Sequence, residues 1–266
     1  MNVLILGYGK TGQPLAQQLK QQGHTVTTIS RSEKDHVEGI SHNQQDIRHL
    51  QLAQDQAFDW VYVILTPNQR GVEFYQQAFI DTISPIYQAL KQHPIQKIVF
   101  VSSTHVYGEH QGEIIDDDTK PYTQNPIGQC LIAAEQLYSA YWQDKLIIVR
   151  PSGLYQADSQ YMVKQALAAT EVSVQHWTNR IHREDLVGFL AYLIDINQPK
   201  SHYVLSDEQP EVQYQLWNSI REAKNLPSLN IPENLVQTGK RINALYLKAS
   251  GYQLKYPTWK DGYTFN

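Results

Sequence analysis

The opening residues constrain the fold of this chain more than any other stretch. Residues 3–6 are four consecutive apolar residues, which predicts a buried strand. Gly7, Gly9 and Gly12 follow with the spacing G-x-G-x-x-G. Residues 14–22 then carry apolar side chains at helical intervals. A strand, a glycine turn and a helix in this order are typical of a dinucleotide-binding site, so we predict that this segment binds NAD or NADP.

Each glycine of the turn has a separate expected role. Gly7 allows the tight turn, Gly9 lets the backbone approach a pyrophosphate, and Gly12 permits close packing of the helix on the strand. The helix N-terminus adds free N–H groups and a partial positive charge. The residues predicted to contact the cofactor at this turn are Gly7, Tyr8, Gly9, Lys10, Thr11 and Gly12.

Strand and helix patterns alternate after the turn. Further strand patterns lie at 25–29, 40–44, 60–65, 98–103 and 146–150. Because the strands alternate with helices, we predict an α/β fold with a Rossmann-type doubly wound parallel sheet. Residues 1–150 form the expected NAD(P)-binding domain. Residues 151–266 form a smaller C-terminal substrate lobe, from which a strand at about 200–206 returns to the sheet.

Several finer elements follow from the same patterns. Residues 71–92 read as one long helical segment with a kink at Pro85. An acidic loop at 116–118 precedes a helix predicted over 126–142. A last helix is predicted around 241–249.

The end of the second strand indicates which dinucleotide binds. NAD sites place an acidic residue there, whereas an arginine accommodates the 2′-phosphate of NADP. Arg31 and Ser32 stand at this point, so we predict NADP, with NAD as the alternative. Asp46 follows the third strand, where it either contacts the adenine or caps the helix that begins at Ile47. Thr66, after the fourth strand, is a further predicted cofactor contact.

Composition argues against several other classes of function. The net charge of −4 disfavours nucleic acid or an anionic membrane as the partner. No apolar run approaches the roughly 20 residues that a transmembrane helix requires, and no signal-peptide pattern is seen. The single cysteine, Cys130, fits a reducing cytoplasm, which is the predicted location. The ten histidines show no HExxH or Cys/His spacing, so we expect no metal site.

Motifs in the middle of the chain resemble those of a known family. Residues 101–108, V-S-S-T-H-V-Y-G, resemble the strand-end motif of the extended short-chain dehydrogenases/reductases, the nucleotide-sugar epimerase and dehydratase group. Residues 149–155 resemble the family segment that passes close to the nicotinamide, and residues 179–186 resemble the arginine–histidine–acidic motif of its substrate lobe. The chain is identified as an atypical member, because typical extended members have the glycine spacing G-x-x-G-x-x-G.

This resemblance implies an NAD(P)-dependent oxidoreductase or epimerase. Its substrate would be a sugar-like small molecule with a hydroxyl or carbonyl group, and a nucleotide sugar is one candidate. Ser103 would orient the substrate, and Pro151 would contact the cofactor. The candidate substrate contacts are Tyr155, Arg180, His182 and Arg241. A homodimer is among the assemblies that the resemblance allows.

The catalytic Tyr-x-x-x-Lys of that family is missing. When the helix is aligned on Pro126 and Glu135, Ile127 stands in place of the tyrosine and Leu131 in place of the lysine. Neither side chain can exchange a proton, which is the tyrosine's task in the family. Tyr122, a short distance upstream, is the predicted replacement. The alternatives are Tyr107, Cys130, Tyr155 and His182.

Two functions therefore stay open. The first is an enzyme of the epimerase/dehydratase type that uses a nonstandard proton carrier. The second is a non-catalytic NADP(H)-binding redox sensor or scaffold. The retained Ser103 and the substrate-lobe motifs favour the enzyme, whereas the missing tyrosine and lysine favour the binding protein. We favour the enzyme, and the sequence does not identify its substrate.

Overall fold

The computed structural model describes residues 1–108 and 111–264. The strands of these residues are β1 (Asn2–Leu6), β2 (Thr25–Ser30), β3 (Ile40–Gln44), β4 (Trp60–Val63), β5 (Lys97–Val101), β6 (Gln111–Asp116), β7 (Leu146–Pro151), β8 (Gly153–Tyr155), β9 (Gln175–Thr178), β10 (Arg180–His182), β11 (His202–Leu205), β12 (Glu211–Val212) and β13 (Gln237–Asn243). The α-helices are α1 (Gly12–Gln21), α2 (Val72–Tyr75), α3 (Ile83–Leu90), α4 (Pro126–Trp142), α5 (Gln160–Ala168), α6 (Arg183–Tyr192), α7 (Gln213–Ala223), α8 (Leu245–Ala249) and α9 (Trp259–Gly262).

Within the described residues, seven strands form one central sheet in the order β11-β7-β5-β4-β1-β2-β3. β1 is parallel to both of its neighbours, with Val3 opposite Val26 of β2 and Trp60 of β4. The pairs β2–β3, β4–β5 and β5–β7 are parallel as well. The apolar runs of these strands are buried, as expected for a sheet covered on both faces. The predicted Rossmann-type α/β sheet is confirmed.

The strand order places a ligand crevice beside β1. β2 and β3 extend to one side of β1, and β4 and β5 extend to the other. In open parallel sheets, ligands bind at the carboxyl ends of the strands where the order reverses in this way. Gly7 follows the carboxyl end of β1, Arg31 follows that of β2, and Ile64 follows that of β4.

The chain forms two compact units that interleave along the sequence. The first comprises Met1–Gly108, Pro121–Arg150 and Val187–Tyr203, and the second comprises Glu109–Lys120, Pro151–Leu186 and Val204–Asn266. One division falls between residues 150 and 151, where the sequence analysis placed its domain boundary. Residues 109–120 and 187–203 are assigned differently from that expectation. For the first of these segments the reason is that β6 pairs with β13 in the second unit.

The second unit contains two small sheets within its described residues. β8 and β10 form a parallel pair, and a four-stranded sheet has the order β12-β9-β13-β6. One buried core joins α5, α7 and the C-terminal segment. Its side chains are Tyr155, Met162, Val163, Ala166, Leu216, Ile220, Trp259 and Tyr263. β11 lies at the edge of the central sheet, where a returning strand was expected.

The segment predicted as one long helix with a kink at Pro85 is divided differently. α2 continues into a π-helix at Gln76–Ile80, and α3 begins at Ile83. Pro85 lies in the first turn of α3, where a backbone N–H has no helical partner, so the proline causes no kink. The break was therefore predicted in the right segment and at the wrong residue. π-Helical turns are frequent at functional sites.

Two segments form strands where the sequence analysis placed other structure. β6 leads into the acidic stretch at 116–118 and runs parallel to β13, with Arg241 opposite Ile114. β13 ends at Asn243, so the helix predicted at 241–249 begins only at Leu245. Pairing between residues that are far apart in sequence decides both cases, and a local pattern does not reveal such pairing.

Candidate functional site

The glycine turn after β1 leaves room for a ligand at one position only. Gly7 has a φ of +109°, and an added Cβ would lie 2.0 Å from the carbonyl oxygen of Ile64. A Cβ on Gly12 would lie 2.0 Å from the carbonyl oxygen of Gly7. A Cβ on Gly9 would meet no atom of the described residues within 4 Å. Backbone packing therefore requires Gly7 and Gly12, and Gly9 borders open space that a pyrophosphate fits.

α1 begins directly after this turn. The Gln13 N–H donates to the Gly9 carbonyl at 2.9 Å, and the Leu15 N–H donates to the Thr11 carbonyl at 3.2 Å. The Thr11 side chain makes no cap hydrogen bond within the part of the chain that the structure describes. The partial positive charge of a helix N-terminus stabilises a nearby anion. The turn and the helix thus provide what the phosphates of a dinucleotide require.

A cavity of about 620 Å³ lies in the first unit beside the turn. Ligand pockets commonly have volumes of about 300–1,000 Å³. Of the residues predicted to contact the cofactor, those that line this cavity are Gly7, Tyr8, Gly9, Arg31, Ser32, Asp46 and Thr66. Lys10, Thr11 and Gly12 belong to the turn without lining the cavity. Pro151 is the last residue of β7 and belongs to the second unit.

Cationic side chains line the cavity near the end of β2. Arg31 Nη2 donates to Asn68 Oδ1 at 2.5 Å, which joins the segment after β2 to the segment after β4. Gln44 Nε2 donates to the Arg31 carbonyl oxygen at 2.9 Å. Lys34 and Arg48 line the same cavity. This end of the cavity is therefore suited to an anionic group.

Asp46 caps the 3₁₀ segment Ile47–His49. The Arg48 N–H donates to Asp46 Oδ1 at 3.0 Å, and the Arg48 guanidinium forms an ion pair with Oδ2 at 2.6 Å. Hydrogen bonding from the Arg48 side chain lowers the pKa of the Asp46 carboxyl to about 2. Of the two roles that the sequence allowed for Asp46, the structure shows the helix cap. Asp46 also lines the cavity, and its contact with an adenine stays a prediction.

Ser103 follows β5 and caps the 3₁₀ segment Thr104–Val106. Its Oγ accepts a hydrogen bond from the His105 N–H at 3.2 Å. β5 and β4 are neighbours in the sheet. Ser103 follows β5 and Thr66 follows β4, so the two residues lie at adjacent strand ends, and Thr66 lines the cavity. We call residues 103–107 the serine ledge.

A buried ion pair anchors the serine ledge. Arg150 of β7 donates to both carboxylate oxygens of Glu135 on α4, at 3.0 and 2.8 Å. Arg150 Nη1 donates to Tyr107 Oη at 2.9 Å. The side chains of Arg150 and Glu135 are only 7% and 6% exposed. Because Arg150, Glu135 and Tyr107 satisfy one another's hydrogen-bonding capacity, they join β7, α4 and the serine ledge into one rigid polar frame.

The positions aligned with the family's tyrosine and lysine lie on α4. Ile127 is in the first turn, where its N–H donates to Asn125 Oδ1 at 2.9 Å. Leu131, one turn later, is 1% exposed. Neither side chain can carry a proton, and the alignment itself stays a prediction. Tyr122 is 68% exposed, and its carbonyl oxygen accepts a hydrogen bond from the Gly108 N–H at 2.8 Å.

The candidate substrate residues of the second unit make contacts within that unit. Tyr155, Arg180 and His182 are 2%, 5% and 3% exposed. The Tyr155 ring packs edge-on against His182, with 5.0 Å between the ring centres. Burial lowers the pKa of the His182 imidazole. Arg241 Nε donates to the Gly112 carbonyl at 2.7 Å. Their contact with a substrate stays a prediction.

Some buried polar atoms of the second unit have no hydrogen-bond partner among the described residues. They include Arg180 Nη1, His182 Nε2 and Asp207 Oδ2. Burial raises the pKa of the Asp207 carboxyl to about 8, although Arg180 opposes the shift. Buried polar atoms of this kind are sites where ordered water or a ligand group supplies the missing bond.

Several residues that line the cavity were not predicted from the sequence, among them Lys34, Asn68 and Gln77. Asn68 follows Thr66 closely, and β2 and β4 both flank β1, so the topology offered a signal for it. Lys34 follows Arg31 in the same loop. Gln77 lies in the π-helix, for which no sequence signal was found.

Within residues 1–108 and 111–264, no three His, Cys, Asp or Glu side chains cluster as metal ligands would. None of the helices in them has the length and apolar composition that a membrane crossing requires.

Comparisons with known proteins agree with the geometry of the first unit. The model of the NAD dependent epimerase/dehydratase family matches residues 3–204. The chain is also similar to Protein YeeZ of Escherichia coli strain K12. The two are 28% identical over 218 residues, which cover 76% of this chain and 75% of that protein.

Solved structures share the fold over almost the whole chain. A protein from Methylobacillus flagellatus has a TM-score of 0.82 and 30% identity, and the match covers 98% of this chain and 95% of that one. UDP-glucuronic acid 4-epimerase from Bacillus cereus, solved in complex with NAD, has a TM-score of 0.78 and 18% identity, with 98% and 96% covered. The second likeness concerns the fold alone.

Proposed function

Because the chain belongs to the NAD-dependent epimerase/dehydratase family, we propose that it is an NADP(H)-dependent oxidoreductase or epimerase acting on a sugar-like hydroxyl or carbonyl compound. One observation carries the proposal. The glycine turn borders an open cavity, and the anchored serine ledge stands at the adjoining strand end. A binding site for the cofactor and a polar group for a substrate are therefore available within the first unit.

The turn and the cationic loop are the proposed cofactor contacts. The backbone at Gly9 and the N-terminus of α1 would bind the pyrophosphate. Arg31 and Lys34 would bind a 2′-phosphate, which supports NADP over NAD. No carboxylate stands directly at the end of β2 to bond a ribose 2′-hydroxyl, because β2 ends in Ser30 and Arg31 follows.

Ser103 is the proposed substrate-orienting residue. Its Oγ already accepts a hydrogen bond from the His105 N–H, so its own O–H remains to donate. That O–H would polarise the carbonyl oxygen, or position the hydroxyl oxygen, of a substrate. The bound nicotinamide supplies the donor or acceptor for a hydride.

A nucleotide sugar is the proposed substrate class. Support comes from the epimerase of Bacillus cereus, whose name specifies UDP-glucuronic acid. The second unit of this chain holds Arg180, His182 and Arg241, which are candidates to bind an anionic diphosphate. At 18% identity this support is an analogy of fold, so the substrate has to be tested directly.

The test combines cofactor binding with turnover. The purified protein is incubated with NADPH or NADP⁺ and with UDP-glucuronic acid, UDP-glucose or simple aldehydes. The reduced nicotinamide is followed by absorbance, and the sugar products are separated by chromatography because an epimerase regenerates its cofactor. We expect turnover of at least one probe and a loss of about 10²-fold in Ser103→Ala. Ser84→Ala is the matched control, because Ser84 is an exposed serine on α3 that does not line the cavity. Tight NADPH binding without turnover of any probe would overturn the enzymatic proposal.

A second candidate is a non-catalytic NADP(H)-binding sensor or scaffold. The observation that favours it is the apolar pair Ile127 and Leu131, which leaves α4 without a proton carrier at those positions. Under this alternative, NADPH binds and the protein turns over none of the probes. The same experiment therefore separates the two candidates.

A further inference from the structure

His105 is the exposed residue of the segment 104–107, whose other three residues are buried. In the serine ledge, Thr104, Val106 and Tyr107 are 8%, 0% and 2% exposed. The His105 side chain is exposed to solvent. The 3₁₀ geometry of Thr104–Val106 therefore presents one imidazole while the neighbouring side chains hold the backbone in the core.

The backbone of His105 is fixed on two sides. Its N–H donates to Ser103 Oγ at 3.2 Å. Its carbonyl oxygen would lie 2.4 Å from a Cβ placed on Gly128, so the backbone of α4 lies directly against the ledge at this point. The ion pair of Arg150 and Glu135 then holds α4 and the ledge together through Tyr107. Precise positioning of this kind is what a catalytic side chain requires.

This contact brings His105 next to the place where a proton carrier is missing. Gly128 directly follows Ile127, the residue that stands where the family has its tyrosine. The first turn of α4 therefore adjoins residue 105. Ser103 and His105 belong to the same ledge, two positions apart along the chain.

The chemistry of imidazole explains why tyrosine and lysine are absent together. A phenol has an ordinary pKa of about 10, so it needs a nearby cation to release its proton near neutral pH. An imidazole has an ordinary pKa of about 6.5 and exchanges protons near neutral pH without such help. With a histidine as the proton carrier, no lysine would be needed to help a phenol release its proton, which is consistent with Leu131 at the lysine position.

We infer that His105 is the catalytic acid–base residue of the proposed reaction, an inference that rests on the proposed function. During oxidation the O–H bond of the substrate breaks, its electron pair forms the second C–O bond, and the proton passes to a ring nitrogen of His105. The hydride leaves the carbon that bears this oxygen and takes the electron pair of the C–H bond with it. A bound oxidised nicotinamide would supply the acceptor for the hydride. Reduction reverses both transfers. The exposed ring then exchanges its proton with water.

The other titratable groups packed around the ledge are less suited to this role. Glu135 and Arg150 are bonded to each other, and Arg150 also bonds Tyr107. Burial raises the pKa of the Cys130 thiol on α4, which keeps the thiol protonated. Tyr122 adjoins the ledge through its bridge to Tyr107 and is exposed, yet α4 offers it no lysine. His105 therefore replaces Tyr122 as the preferred candidate.

The first test measures whether the imidazole lies near the nicotinamide, without any turnover. NADP⁺ and NADPH differ in the positive charge of that ring. A nearby positive charge disfavours the imidazolium. The titration midpoint of His105, followed by NMR on ¹³C-histidine-labelled protein and assigned with His105→Gln, should lie lower with NADP⁺ than with NADPH by about half a pH unit or more. The His49 ring, also in a 3₁₀ segment, should show no difference.

The second test measures proton transfer itself. His105→Gln should lower turnover of the responsive probe by about 10²–10⁴-fold, with the Kd for NADPH unchanged. His49→Gln should leave turnover unchanged. In His105→Ala, added imidazole should restore part of the rate, because the position is open to solvent. A purely structural role for His105 would not allow such rescue.

Each outcome decides one of the two proposals. Equal midpoints with NADP⁺ and NADPH overturn the role of His105, whether or not the protein turns over a probe. A shifted midpoint with loss and rescue of turnover supports it. A shifted midpoint in a protein that turns over no probe overturns the proposed function, and the catalytic role of His105 with it. Full turnover in His105→Gln overturns the role of His105 alone.

Discussion

Arg31 lies in the loop after β2 and places a positive charge in the wall of the cavity. Its guanidinium is held by Asn68 at 2.5 Å and lines the cavity together with Lys34. A guanidinium that is already oriented loses little side-chain entropy when it binds a phosphate. We therefore propose that discrimination between NADP and NAD, which differ only in the 2′-phosphate, depends mainly on this residue.

We predict that Arg31→Ala weakens NADP(H) and leaves NAD(H) almost unchanged. A charge-assisted hydrogen bond contributes about 1.5–3 kcal/mol, which corresponds to roughly a tenfold to hundredfold rise in the Kd for NADPH. Isothermal titration with NADPH and NADH measures both constants. Arg70→Ala is the control, because Arg70 is exposed and does not line the cavity. Equal weakening of both dinucleotides would contradict the 2′-phosphate role.

Single residues were predictable from sequence where a backbone requirement selects them. Gly7 and Gly12 are such cases, since an added Cβ would lie 2.0 Å from a backbone oxygen at each. Arg31 was singled out because it follows a predicted strand, and it lines the cavity, while its contact with a cofactor stays a prediction. Asn68 was missed because its bond to Arg31 spans 37 positions and depends on both flanking strands pairing with β1. His105 was not singled out, because its exposure and its contact with Gly128 are visible only in the fold.

At the scale of elements, the frame of β7, α4 and the serine ledge depends on a buried ion pair. Arg150 and Glu135 are almost fully buried, and their bidentate contact is completed by Tyr107. Removing one partner of such a pair leaves an uncompensated buried charge, which typically costs about 3–5 kcal/mol. The position of the serine ledge therefore relies on this pair.

We predict that Glu135→Gln lowers the free energy of unfolding by about 3 kcal/mol, because Arg150 then keeps its charge in the core. Denaturant unfolding of the protein without cofactor measures the change. Glu184→Gln is the matched control: its ion pair with Lys255 has side chains that are 56% and 63% exposed. Exposed pairs contribute about 1 kcal/mol or less. A loss in Glu135→Gln no larger than in the control would show that the buried pair does not anchor the ledge.

Elements with local signals were predicted well, and elements that depend on pairing were not. α4 spans Pro126–Trp142, the predicted range, because Asn125 caps its N-terminus and proline suits its first position. β13 was taken for part of a helix, since its strand state comes from pairing with β6 and β9. The π-helix at Gln76–Ile80 changes the helical register without any glycine or proline inside it, so the sequence contained no marker for it.

For the whole molecule, the sequence predicted the sheet and its family but not how the chain is shared between two units. The central sheet follows from successive apolar runs, each of which is a local signal. The assignment of residues 111–120 to the second unit depends on the pairing of β6 with β13. The burial of Asp207 in the second unit was not predicted from the sequence either. This residue becomes buried only when the segment after β11 packs beside Arg180.

Asp207 gives the stability of the protein a testable dependence on pH. It is 2% exposed, its Oδ2 lacks a partner among the described residues, and burial raises its pKa to about 8. An unfolded aspartate has a pKa of about 3.9. Between these values the folded state binds the proton that the unfolded state has lost. The free energy of unfolding contributed by this group therefore falls as pH rises from about 4 to 8.

We predict that Asp207→Asn removes this dependence, because asparagine stays neutral and can still accept the hydrogen bond from the Gln209 N–H. At pH 8 the variant should be more stable than the wild type by about 1 kcal/mol or more, the equivalent of one pKa unit. Near pH 4 the two proteins should have similar stability. Asp158→Asn, an exposed aspartate of the second unit, should keep the wild-type profile. Denaturant unfolding at a series of pH values measures the difference, and parallel profiles for Asp207→Asn and the wild type would show that Asp207 is ionised in the folded protein throughout this range.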